Sequence, residues 1–309
     1  MQEYGPVWSP DGTQIAFYAT FASESPNPDI FLVNADGTAL RKLTDDPASD
    51  YAPVWSPDGT QVAFISTRDG IPQIFTMNRD GSGVKKLVDT TANTNAPSWS
   101  PDGTHIVFTL MDQGQSRLAI VTAGEIDLLP TGNGDVVSIP TWSPDGTQIA
   151  FTLNYLGNSD ICVINMDSSD LRNLTNHEGY NLFPLWSPDG AEIAYVSRRN
   201  GISGIYLTDV NGKSTQKLYT SDAQSFLTNW SPDGKYITYF STQNKQAQVK
   251  LLPIGTARPQ VIAENVATDT FPTWSPDGSQ LAFVAFDEQN NRNIYVINVD
   301  GTNKHRLNN

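Results

Sequence analysis

Seven copies of Trp-Ser-Pro-Asp-Gly constrain this chain more than any other feature. They begin at Trp8, Trp55, Trp99, Trp142, Trp186, Trp230 and Trp274, with steps of 47, 44, 43, 44, 44 and 44 residues. All seven tryptophans of the chain lie in this motif. A side chain so large, confined to one repeated slot, implies a repeated packing role. A fixed period of this length belongs to repeat architectures. Seven periods account for nearly all 309 residues, so a single domain over 1–309 is expected.

Each repeat reads as four short strands. Proline stands two residues before the tryptophan at Pro6, Pro53, Pro97, Pro140, Pro184 and Pro272, with Thr228 in the sixth copy. Lacking an N–H, it suits a strand start or edge. Ser-Pro-Asp-Gly then forms a tight turn: Pro presets the backbone, Asp bonds nearby amides and Gly takes the left-handed conformation. A second strand follows, with large residues alternating with small ones, as in Ile15-Ala16-Phe17 and Val62-Ala63-Phe64. A third strand runs through Ile30-Phe31-Leu32-Val33, Ile74-Phe75-Thr76-Met77 and Ile294-Tyr295-Val296-Ile297. Glycine turns such as Asp36-Gly37 lead to a short fourth strand marked by Leu43, Leu87, Leu174, Leu218 and Leu307. Repeat three is worn there, with Gly124-Glu125 and Leu128-Leu129. No segment has a helical period. The pattern predicts an all-β, seven-bladed β-propeller of four-stranded antiparallel blades. Each blade comes from contiguous chain, with no closing strand shared between the termini. The junction of the first and last repeats is therefore expected to be weak, held by side-chain packing alone.

Composition narrows the partners. The formal net charge of −14 disfavours nucleic acid and anionic membrane, and favours a basic protein, a basic peptide or a cation. No apolar run reaches the ~20 residues of a membrane span. The single Cys162 lies in an apolar strand and reads as a buried, inert thiol. His105, His177 and His305 have no metal-ligand spacing. The glycine turns lack the ligand pattern of a calcium loop. The seven motif aspartates (Asp11, Asp58, Asp102, Asp145, Asp189, Asp233 and Asp277) read as turn formers.

The string Pro-x-Trp-Ser-Pro-Asp-Gly, followed by Ile-Ala-Phe, Ile-Tyr/Phe, Asp-Gly and Leu-Thr, resembles the TolB-type, WD40-like propeller repeat. It does so over the whole chain. The resemblance implies an extracytoplasmic, periplasmic bacterial protein. Met1 runs almost at once into the first repeat with no leader pattern, so a cytoplasmic location stays open. Similar blades occur in prolyl-oligopeptidase-type peptidases, which add a hydrolase domain with a Gly-x-Ser-x-Gly elbow; that motif is absent here.

Function is expected in what varies between repeats. The second-to-third loops are diverse, including 21–28, Asn154-Tyr155-Leu156-Gly157 and Arg198-Arg199-Asn200-Gly201. The expectation is a monomeric, non-catalytic propeller that scaffolds a protein or peptide contact on this loop face. The alternative is an enzyme propeller, glycan-active or peptidase-associated, with a metal or ligand at the channel mouth. The candidate binding residues lie five positions before the tryptophan. Glu3, Asp50 and Asp269 occupy that slot in repeats one, two and seven, which become consecutive if the ring closes. They are expected to form an acidic arc that receives a cation or a basic side chain, with Tyr51 and Phe271 adding apolar contact. No resident cofactor is expected, though calcium or another divalent cation would suit the arc.

Overall fold

The computed structural model describes residues 1–309 apart from 22–24, 138, 177, 222–223, 244–245, 257, 269–270 and 309. Among the described residues the regular structure is entirely β, and antiparallel four-stranded sheets recur along the chain. The chain divides into two compact units. One holds 1–89, 244–250 and 261–309; the other holds 90–243 and 251–260.

In the first unit, repeat one forms Gln2–Trp8, Gln14–Phe21, Ser25–Asn34 and Arg41–Lys42, paired in chain order. Repeat two forms Asp50–Trp55, Gln61–Ser66, Gln73–Asn78 and Lys85–Lys86 in the same order. Repeat seven forms Thr273–Trp274, Gln280–Phe286, Arg292–Asn298 and His305–Arg306. The first and last repeats thus each take their strands from contiguous chain.

In the second unit, repeat three forms Asn93–Trp99, His105–Asp112, Gln115–Thr122 and Glu125–Leu128. The worn segment therefore still makes a fourth strand, and Leu129 just beyond it is buried. In repeat four, Asp135–Val136 and Thr141–Trp142 both pair with Gln148–Tyr155, followed by Asn158–Asn165 and Arg172–Asn173. Repeat five forms Tyr180–Trp186, Glu192–Arg199, Ile202–Asp209 and Thr215–Ser221. One parallel pair, Ser159 with Tyr180, joins these two repeats into a single larger sheet. Repeat six contributes the hairpin Gln224–Trp230 and Tyr236–Gln243 to this unit. Its last strands, Gln246–Pro253 and Gln260–Glu264, each straddle the boundary between the units.

The tryptophan slot joins neighbouring repeats. Trp8, Trp55, Trp142, Trp186, Trp230 and Trp274 are buried, and Trp99 is half-buried. In several repeats the indole N–H donates to the carbonyl just before the preceding repeat's tryptophan. Trp55 reaches Val7 O at 3.2 Å, Trp142 reaches Ser98 O at 3.0 Å and Trp230 reaches Leu185 O at 3.2 Å. One side chain thus fills the space between two sheets and satisfies its own donor there. The turns stack in the same way. A Cβ on Gly59 would lie 3.5 Å from Pro10, and one on Gly190 would lie 3.5 Å from Pro144. The left-handed φ of these glycines is the second reason the position is glycine.

Repeats one and seven meet by the same contacts. Gly12 packs on Pro276. Thr273 Oγ1 donates to Pro6 O at 3.0 Å, as Thr141 Oγ1 does to Pro184 O at 3.3 Å. Trp8, Phe17 and Phe31 share a buried cluster with Val284, Ile294 and Leu307. Hydrogen bonds run across as well: Arg292 N donates to Gln2 Oε1 at 2.9 Å and Ile294 N to Glu3 Oε2 at 2.7 Å. The expectation of a junction held by side-chain packing alone is therefore corrected. The polar residues near the N-terminus reach backbone amides of the last repeat.

Candidate functional site

The slot five residues before each tryptophan was the sequence's acidic arc. Two of its acids, Glu3 and Asp50, are instead buried and hydrogen-bonded inside the fold. Glu3 is fully buried. Its Oε2 accepts from Ile294 N and its Oε1 from Asn308 Nδ2 at 3.3 Å. Burial pushes its carboxyl above the ordinary range, despite those hydrogen bonds. Asp50 is also fully buried, and both its oxygens accept from Arg68 Nη2, at 3.2 and 3.0 Å. Arg68 is itself fixed over the Phe75 ring at 4.8 Å, with its Nε donating to Ser66 Oγ. Thr94 and Asn181 fill the slot in repeats three and five and are fully buried. Asn181 Nδ2 donates to Ser159 O in the preceding repeat at 3.1 Å. Asp269 lies outside the described residues. Tyr51 is half-buried beside Tyr18, with ring centroids 6.3 Å apart, and burial raises its phenol. Phe271 is half-buried. Glu3 and Asp50 are therefore engaged within the protein.

Other chemically capable groups are equally engaged. In the first motif turn Ser9 Oγ donates to Asp11 Oδ1 at 2.6 Å, and Thr13 N donates to the same oxygen. Arg79, 2.6 Å from Asp11, holds its carboxyl well below the usual range. Ser100 does most to lower Asp102, to about 2. His105 Nδ1 lies 2.6 Å from Thr104 Oγ1 in a turn; His177 lies outside the described residues. Cys162 is buried, and desolvation pushes its thiol up to about 12. Among the described residues no group of three or more His, Cys, Asp or Glu side chains is placed to hold a metal. Among them, too, no helix is long and apolar enough to cross a membrane.

What sequence reasoning missed lies in repeat four. A cavity of about 270 Å³ opens beside Gly134, Leu153 and Tyr155, with Thr131, Asp160 and Asn173 supplying polar groups. Gly134 is required there, because a Cβ would come within 2.8 Å of Asn154 O and of the Leu153 side chain. Asp160 is buried at the start of the third strand. It accepts from Thr175 Oγ1 at 2.7 Å and Asn173 Nδ2 at 3.0 Å. Exposed apolar side chains stand at the same end of these strands. Tyr155 ends the strand Gln148–Tyr155 and Leu156 lies in the turn that leads to Asn158–Asn165, where it is 84% exposed. Tyr180 pairs with Ser159 and Arg198, and Ile202 with Arg199; both are exposed. Only the loop 154–157 carried a signal in the sequence, through its divergence from the other repeats.

Repeated four-stranded antiparallel sheets, locked by a buried tryptophan and a Pro-Asp-Gly turn, define a propeller-type repeat protein. The profile of the TolB beta propeller domain matches residues 2–137, 130–228 and 207–309, and the chain belongs to that family. The Tol-Pal system protein TolB of Anaeromyxobacter dehalogenans (strain 2CP-C) is 49% identical over 47 residues. That match covers 15% of this chain and only a tenth of the relative's length. Among solved structures, an oligogalacturonate lyase in complex with manganese superposes with a TM-score of 0.79 at 17% identity, over 96% of this chain and 89% of its own. A puromycin-hydrolyzing peptidase of Mycobacterium tuberculosis superposes with a TM-score of 0.78 at 14% identity, over 99% of this chain and 53% of its own. At these identities the likeness carries the fold. It nevertheless corrects the expectation of a non-catalytic scaffold that is not an enzyme, because structures superposing on almost the whole chain with TM-scores of 0.79 and 0.78 include enzymes.

Proposed function

We propose that residues 1–309 form one seven-bladed propeller, and that it serves a peptide-cleaving enzyme by receiving and orienting the peptide. The observation that carries this reading is the near-complete superposition of the chain on about half of a peptidase. The apolar end of repeats four and five supports it. Tyr155, Leu156, Tyr180 and Ile202 give a peptide apolar contact, and the adjoining cavity gives it a pocket. In this reading bond cleavage takes place at a hydrolytic centre presented to the same end of the strands. Cys162 and the motif aspartates take no part.

The lyase comparison fits less well. Oligogalacturonate is a polyanion, and a chain of net charge −14 repels it. A location outside the cytoplasm accords with membership of the TolB propeller family.

Calorimetric titration with tyrosine- and leucine-containing peptides tests the reading. The parent should bind them, and Leu156→Asp/Ile202→Asp should weaken binding by about tenfold or more without lowering the melting temperature. Oligogalacturonate binding or cleavage by the parent, with no affinity for peptides, would overturn it.

A further inference from the structure

The repeats offer an internal comparison for the cavity in repeat four. In four of them the second and third strands set two aromatic residues opposite each other: Phe17 with Phe31, Phe64 with Phe75, Tyr195 with Tyr206 and Phe283 with Tyr295. A further side chain then covers the ring on the third strand. In repeats one, two and five that cover stands thirteen residues after the motif tryptophan. The Phe21 and Phe31 ring centroids are 5.7 Å apart at a tilt of 53°. Arg68 lies 4.8 Å over Phe75, and Arg199 lies 4.5 Å over Tyr206.

Repeat four has the cover without the ring. Tyr155 holds the position of Phe21, Arg68 and Arg199. Phe151 faces Cys162 at the register where the other repeats pair two aromatics. The cavity lies along the same face of these strands. Of its lining residues, Leu153 pairs with Asp160, two residues before Cys162, and Asn173 pairs with Cys162 itself. The buried Cys162 thus stands among residues that line the cavity. A thiol fills far less space than a phenyl ring, so the cover has a gap beneath it. Repeat three also lacks the ring, with Ala119 opposite Phe108, but it has Asp112 at the position of Tyr155.

We infer that the repeat-four cavity is a subsite for an aromatic side chain of a bound peptide. The incoming ring takes the place that Phe31, Phe75 and Tyr206 fill from within. Tyr155 covers it as Phe21 covers Phe31, in the tilted arrangement that aromatic pairs favour. Leu153 adds apolar contact. Asp160 keeps its bonds to Thr175 and Asn173 and serves only as wall. An apolar cavity of about 150 Å³ already admits a benzene ring, and this one is about 270 Å³. A neutral ring meets no repulsion from a chain of net charge −14. That the ring belongs to a peptide rests on the peptide reading above; the ring subsite rests on the comparison of repeats.

The test is an NMR titration with N-acetyl-phenylalanine methylamide and its alanine counterpart. The parent should bind the phenylalanine compound about tenfold or more tighter, with shifts at the Leu153 and Tyr155 amides. Cys162→Phe supplies the ring from within, as repeat one does, so it should fold and lose the preference. Cys162→Ala leaves the gap and should keep it. Tyr155→Ala changes an exposed side chain and removes the cover, so it should weaken the phenylalanine compound about threefold or more. No preference in the parent, an undiminished one in Tyr155→Ala, or one that survives in folded Cys162→Phe overturns the subsite; so does its loss in folded Cys162→Ala. The peptide reading fails separately. If Leu156→Asp/Ile202→Asp leaves the binding of longer peptides intact while the phenylalanine preference persists, the subsite stands and that reading falls.

Discussion

Trp142 and Glu3 illustrate how far one side chain can be read. Trp142 is 8% exposed, packs in a cluster with Val107, Leu118 and Phe151, and donates to Ser98 O. Trp142→Ala removes both the volume and the donor, leaving a cavity between two sheets. We expect a loss of ~3–5 kcal/mol in chemical denaturation. An unchanged unfolding midpoint would refute the packing role.

Glu3 has a distinct signature in pH. Its carboxyl is raised by burial, so folding disfavours its ionised form. Its contribution to stability is fully present below its unfolded value, near 4.5, and is lost as pH rises through the higher folded value. Glu3→Gln should remove this dependence. The variant should also be tolerated at neutral pH, because Asn308 Oδ1 is buried without a partner and a glutamine amide can donate to it. Glu3→Ala should instead cost ~1–3 kcal/mol, since it strips the acceptor from a buried amide. Thermal melts of the three proteins from pH 4 to pH 8 separate these outcomes. Parallel parent and Glu3→Gln curves would remove the assigned cause.

At the level of the strand, the same contact decides how firmly the last repeat is held. The amide of Ile294 donates to Glu3 Oε2 as that of Ile161 donates to Thr175 Oγ1. In repeat seven the residue after Leu307 is Asn308, which bonds Glu3 rather than capping the strand itself. Hydrogen exchange at Ile294 should therefore be as slow as at Ile161 in the parent, and faster in Glu3→Ala. A fast Ile294 amide in the parent would restore the weak junction that contiguous repeats suggest. The strands themselves were legible because alternation and turn chemistry repeat every 44 residues or so, and even worn repeat three forms Glu125–Leu128. The slot of Glu3 was misread because acids taken singly look solvated. The same slot holds Thr94 and Asn181, neutral polar residues that are also fully buried, though repeat four places an exposed Val137 there. The cavity beside Asp160 was not legible. Its lining residues Leu153, Asp160 and Asn173 come from separate strands, which only strand pairing brings together.

For the whole molecule, the question is whether seven repeats behave as one body. A blade cannot bury both faces of its sheet alone, so stability comes from neighbours. Buried clusters accordingly draw on consecutive repeats. Phe64 and Phe75 join Ile30 and Leu32, Phe151 joins Leu118, Tyr195 joins Ile161, and Phe17 joins Val284. The last of these ties repeat one to repeat seven. The chain passes from one compact unit to the other at 89–90, between repeats two and three, and again within repeat six. Under the single-propeller proposal the chain should unfold in one calorimetric transition. Its radius of gyration by small-angle X-ray scattering should be about 19 Å, as for a compact domain of 309 residues. Deleting repeat seven should abolish cooperative melting, since Trp8, Phe17 and Phe31 would lose the cover of Val284, Ile294 and Leu307. Two separate transitions, a clearly larger radius, or a truncated chain that still melts sharply would each mean that the units fold independently.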